Sequence, residues 1–118
     1  MAIQSIGGIF IPDLCVVIRA QVPLGSEPVD SEFVALAVEI TSPNNASHDR
    51  KRKKWAYAHG GVAQYLLVDA YDDDGPCVWV FSQPDGGTYR SAVRAPFGKM
   101  VTLADPVAVE IDSGQFPV

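Results

Sequence analysis

The sequence predicts an α/β protein: a mixed β-sheet, one main helix and C-terminal antiparallel hairpins. Three observations predict it. Two short, nearly continuous apolar runs, residues 33–41 and 64–69, are bounded by turn residues, as strands buried on both faces are. Between them lies a polar, basic stretch at about residues 46–60 with Asn45 or Ser47 as N-cap and Gly60-Gly61 as stop, a helix of about four turns. Beyond residue 76 short apolar pieces alternate with Pro84-Asp85-Gly86-Gly87 and Pro96-Phe97-Gly98, a spacing that predicts hairpins extending the sheet.

Taken in order, the segment from Ile3 to Ile11 reads as a short extended piece broken at Gly7-Gly8. Pro12-Asp13 punctuates it. From Leu14 to Ile18 every residue is apolar and several are β-branched, which predicts a buried strand. Residues 21–31 hold two prolines, a glycine and two acids and form a loop. The run 33–41 reads as the central strand, and Ser42-Pro43-Asn44-Asn45 turns the chain into the helix. Strand, helix and the next strand at 64–69 make a unit that favours parallel neighbours.

The chain has 118 residues, 47% of them hydrophobic and 19% charged, which excludes a disordered segment and a membrane span and predicts one domain over 1–118. The N-terminus shows no basic stretch, long apolar core or small-residue cleavage site, so a cytoplasmic location is expected. Cys15 and Cys77 lie within apolar runs and are read as buried thiols. The formal charge is −5, and five of the nine basic residues stand in the run 50–54, leaving four against fourteen acids elsewhere. So acidic a chain is not steered to nucleic acid by its overall field, although a local patch can grip phosphates.

Glu39 is the first anomaly, because a carboxylate inside an apolar strand is costly unless it is paired or metal-bound. Asp13 immediately precedes the neighbouring apolar run. On the helix, Asp49, Lys53, Ala56 and Tyr57 share one stripe, while Arg50, Lys51 and Lys54 point elsewhere. The basic run is therefore read as a solvated face with Lys53 turned inward, and Trp55 and Tyr57 as packing residues. Asp13 and Glu39, brought side by side, offer the two hard oxygen ligands that Mg²⁺ accepts along with water and phosphate, and Lys53 would orient the water. The plainer readings are a turn residue after proline for Asp13 and a structural ion pair for Glu39. His48 and His59 have no partner at zinc spacing.

Ile11-Pro12-Asp13-Leu14, Val38-Glu39-Ile40-Thr41-Ser42-Pro43-Asn44-Asn45, Asp49 with Lys53 and Tyr57, Gly61-Val62 and Tyr65-Leu66-Leu67-Val68-Asp69 follow one another along nearly the whole chain. In this order and spacing they resemble the motifs of the Uma2 family, bacterial restriction-endonuclease-like proteins of the PD-(D/E)XK superfamily. The resemblance implies the restriction-endonuclease-like fold, Mg²⁺ or Mn²⁺ as cofactor, and hydrolysis of DNA. It makes Asp13 and Glu39 the metal-binding acids. Thr41 stands where the superfamily usually has its lysine, and Lys53 supplies the amine from the helix. Asp49 and Tyr57 become supporting partners of the site. One departure is the short stretch before Asp13, where relatives carry a longer segment. That predicts an uncovered sheet edge and a homodimer, and it opens the alternative of an inactive, self-associating homologue.

Overall fold

A computed structural model of the chain describes residues 1–18, 29–41 and 47–116, with the side chains of 47–49 left out. Its centre is a five-stranded mixed sheet in the order β3-β4-β5-β6-β7. The strands are β3 (Leu14–Val17), β4 (Val34–Ile40), β5 (Gln64–Asp69), β6 (Cys77–Asp85) and β7 (Thr88–Pro96). β4 and β5 run parallel, with Glu39 registered on Leu67, and every other pair is antiparallel. The parallel pair brackets α1 (Ser47–His59), the one α-helix among the described residues, as the strand-helix-strand reading requires. A small N-terminal hairpin of β1 (Ala2–Ile3) and β2 (Gly8–Ile9) completes the α1 side.

The two faces of the sheet bury different clusters. On the α1 side, Tyr57 and Ala56 of the helix pack on Ala37, Tyr65, Leu67, Phe81 and Tyr89, with Ile3 and Phe10 from the N-terminal segment. On the other side, Leu36, Val38, Leu66 and Val78 meet Val101 and Leu103. The latter belong to a second hairpin, β8 (Met100–Thr102) with β9 (Glu110–Asp112). This corrects the expectation that all C-terminal hairpins extend the sheet, because β8 and β9 form a separate two-stranded sheet laid over its back. Gln64 explains how it is tied there: its buried amide donates to the Ala104 carbonyl at 2.9 Å and accepts from the Ala104 N–H at 2.9 Å.

β3 also differs from its expectation. It lies at the edge of the sheet, so Leu14 and Cys15 are exposed and Val16 and Val17 only partly covered. Cys15 is thus not a buried thiol, whereas Cys77 is fully buried, and the two are unbridged. The turn at 42–45, the Asn45 cap and most of the loop at 21–31 lie outside the described residues, as do the side chains of Ser47, His48 and Asp49.

The C-terminal end of α1 is fully specified. Gly61 has φ +73°, its N–H bonds the Ala58 carbonyl at 3.2 Å, and the Val62 N–H bonds the Tyr57 carbonyl at 3.1 Å. These paired bonds over a left-handed glycine form a Schellman closure, and the accompanying apolar contact is Val62 with Tyr57, both fully buried. Tyr89 locks the same turn by donating its hydroxyl to the Val62 carbonyl at 2.7 Å. The backbone of Tyr57 is thereby held from below. Gly61→Ala is expected to cost about 1 kcal/mol, because an alanine resists positive φ. Thermal unfolding measures it, and a lowering of the midpoint by about 3–8 °C is expected.

Candidate functional site

β4 is buried along almost its whole length, so the alternation of its side chains places Glu39 under α1 at 5% exposure. Burial of an unpaired carboxylate costs several kcal/mol, which obliges the fold to supply partners. Two come from one face of α1. Lys53 Nζ donates to Glu39 Oε2 at 3.1 Å, and Tyr57 Oη donates to Glu39 Oε1 at 2.6 Å. Residues four apart on a helix share a face, so the stripe read from the sequence delivers both donors to one carboxylate.

Tyr57 is more than a packing residue. Burial first, then its hydrogen bond to Glu39 and the negative charge of Glu39, with smaller contributions from Tyr65 and Asp13, push its ionisation far above the ordinary tyrosine range. It is a permanently protonated donor.

Asp13 sits just ahead of β3. The β3–β4 register pairs Leu14 with Val38, so Asp13, one residue ahead of the strand, stands level with Glu39 at the end of the ladder. Asp13 is exposed, and its Oδ2 accepts the Ile40 N–H at 2.7 Å, which fixes the carboxylate at the open end of the ladder. The predicted trio thus divides. Glu39 and Lys53 are in direct contact, and Asp13 borders them from the neighbouring strand end. Asp49 lies on α1 one turn before Lys53, and its side chain is outside the described residues.

A second carboxylate clamp was not anticipated. Asp69, at the end of β5 and 2% exposed, receives Arg50 Nη1 at 2.7 Å, Thr41 Oγ1 at 3.0 Å and the Tyr71 N–H at 3.0 Å. Arg50 therefore does not point away from the sheet, contrary to the solvated-face reading. Lys54 lies 5.1 Å over the Phe81 ring and Arg52 5.2 Å over the Phe10 ring. The signal was present in the sequence, because Asp69 ends an apolar strand just as Glu39 interrupts one. Thr41, two residues beyond Glu39, is spent on holding Asp69.

The donor set suits a hard divalent cation. Mg²⁺ needs one or two carboxylates and otherwise keeps water or phosphate oxygens, and each carboxylate has about four lone-pair directions, so Glu39 retains capacity beside its two donors. Among the described residues no group of three or more metal-ligating side chains gathers.

A mixed sheet in which an interior strand carries a buried acid beneath a helical lysine is consistent with the restriction-endonuclease-like fold. The chain belongs to the Uma2 family, whose model, described as "Putative restriction endonuclease", matches residues 4–113. No curated protein matches it. Among the described residues no helix is long and apolar enough to cross a membrane.

Tyr57→Phe tests the clamp. Leaving Glu39 Oε1 buried without its donor costs about 1–3 kcal/mol near neutrality. The folded pKa of Tyr57 lies above the unfolded value of about 10, so its contribution is fully present below that pH and is lost as the pH rises. Urea unfolding across the alkaline range is expected to show the native protein losing stability more steeply above about pH 10 than Tyr57→Phe.

Proposed function

We propose that the chain is a metal-dependent DNA endonuclease of the cytoplasm. The observation that carries this reading is the buried Glu39 carboxylate, held by Lys53 and Tyr57, with the Asp13 carboxylate on the N–H of the next residue, Ile40. Family membership supports nuclease chemistry, and restriction-endonuclease-like families generally use divalent metals. Mg²⁺ or Mn²⁺ on Asp13 and Glu39 would polarise the scissile phosphate and stabilise the leaving oxygen. Lys53 stands beside Glu39 with its ammonium directed at that carboxylate, where it orients the attacking water and offsets charge growing on the phosphate. Tyr57 holds the Glu39 rotamer without competing for a proton. Asp13, anchored through one oxygen, presents the carboxylate from the open side.

A second reading, an inactive homologue that self-associates as a dimer, draws on Ile9, Ile11 and Leu14 near β3, which are 68%, 88% and 56% exposed. Supercoiled plasmid incubated with Mg²⁺ or Mn²⁺ separates the two. Under the nuclease reading the native chain nicks it, and Asp13→Asn, Glu39→Gln and Lys53→Met each slow nicking by roughly a hundredfold or more. Asp13→Asn is the decisive variant, because position 13 is exposed and asparagine still accepts the Ile40 N–H. Native rates in a folded Asp13→Asn, or a dimer by light scattering with no metal binding and no cleavage, would overturn the nuclease reading.

A further inference from the structure

Beside the Glu39 clamp, a cleft of about 380 Å³ opens between α1 and strands β5 to β7. Its volume falls in the range of about 300–1,000 Å³ that small-molecule sites occupy. The floor is aromatic. Trp79 and Phe81 alternate on β6, so their rings lie on one face, with centroids 5.6 Å apart and planes within 4° of parallel. The residue registered with Phe81 on β7 is Ala92, also in the lining, whose small side chain leaves the outer flank of this floor low. Phe81 is buried, but Trp79 is only partly covered and borders the open space.

The rim along α1 is basic, with Arg50, Lys51 and Lys54. The acids in the lining are already engaged. Asp69 is held by Arg50 at 2.7 Å, and Asp72 lies 3.9 Å from Arg94. Asp72 is kept below the usual carboxylate range by the Asp74 N–H first, and also by the Cys77 thiol, the Trp79 indole and Arg94. Among the described residues, Lys51 is exposed and in no ion pair, so it and Lys54 carry the unbalanced charge of the rim.

The cleft adjoins the proposed catalytic site. Leu67 lines it and is the β5 residue registered with Glu39, and Arg50 lies one turn before Lys53 on α1. A flat, partly exposed indole beside a row of cations fits a planar base together with its phosphate, since stacking and charge are the two terms that hold single strands. Paired bases in a duplex keep their faces buried and have no use for such a floor. We infer that this cleft takes an unpaired nucleotide next to the scissile phosphate, its base stacked on Trp79 and its phosphate held by Lys51 and Lys54. The inference rests on the nuclease reading for the identity of the strand as DNA, and it makes the preferred substrate one with a single-stranded stretch at the cut.

Binding without metal keeps the two claims apart. Fluorescence anisotropy in EDTA compares a labelled single strand, a blunt duplex and a gapped duplex of the same sequence. The expected order is tighter binding of the single-stranded and gapped forms, by about tenfold, the value of one good stacking contact. Trp79→Leu fills the space without a π-face and is expected to erase that preference, while Trp79→Phe keeps most of it. Lys51→Ala is expected to reduce the salt slope for the single strand by about 0.7, one phosphate contact. In a Trp55→Phe background the remaining indole emission reports Trp79 directly, and quenching by the single strand is expected. Equal binding of all three DNAs, no binding, or a preference unchanged in a folded Trp79→Leu would overturn the inference. Plasmid nicking by a protein that shows no single-strand preference would overturn it while leaving the nuclease reading intact. Metal-free strand preference in a protein that never cleaves would do the reverse.

Discussion

A carboxylate buried in the middle of a hydrophobic sheet sets the terms for the rest of this molecule. A carboxyl group buried beneath α1 needs donors for its oxygens, and Lys53 and Tyr57 reach those of Glu39 only if the helix crosses β4 at one height and one rotation. The closure at Gly61-Val62 and the Tyr89 hydroxyl hold the lower end of the helix at that height. Arg50 on Asp69 pins the upper end over β5. Two cations on one helix thus grip carboxylates on two adjacent parallel strands. The apolar contacts of Tyr57, Tyr65 and Phe81 fill the space between these fixed points.

The division of labour between the two faces follows from that constraint. Among the described residues the buried acids of the sheet, Glu39 and Asp69, both meet cations of α1, and the reverse face, apolar but for Gln64, is closed by the β8–β9 hairpin. Asp13 enters just ahead of the edge strand, where its carboxylate completes the backbone ladder of β4. Chemistry at the strand ends is therefore backed by a rigid core and open along the flank of the helix. The aromatic and basic cleft lies along that flank, and its acids are neutralised by neighbouring arginines, so a chain of net charge −5 still presents cations there.

The legible parts of the sequence were those where a local rule has a single solution. Glu39 stood out because a charged residue in a doubly buried strand demands partners, and the i, i+4 spacing put Lys53 and Tyr57 on one inward stripe, although there Tyr57 read as packing and not as a donor. The helix and its stop were equally plain from Gly60-Gly61. Other features depended on information the chain does not carry locally. Five apolar residues from Leu14 read alike in a central strand and an edge strand, and only the sheet order exposes Cys15. Alternation at Met100 and Ile111 marks strands without saying which sheet they join. Arg50 looked solvated because one stripe was assigned to the core, whereas a helix lying across two strands offers a second set of inward positions to β5. The Trp79–Phe81 floor was hidden for a related reason, since neither ring has meaning until α1 brings Lys51 and Lys54 beside it.

The central claim is that Asp13 and Glu39 together bind a divalent ion at the end of β4. Mn²⁺ titrated into ¹⁵N-labelled protein tests it most directly, because the paramagnetic ion broadens the amides nearest to it. The account predicts selective loss of the Asp13, Glu39 and Ile40 signals at low Mn²⁺, reversed by Mg²⁺ and weakened in Asp13→Asn. Broadening that begins at the exposed acids around Asp72–Asp74, with the β4 end untouched, would contradict it.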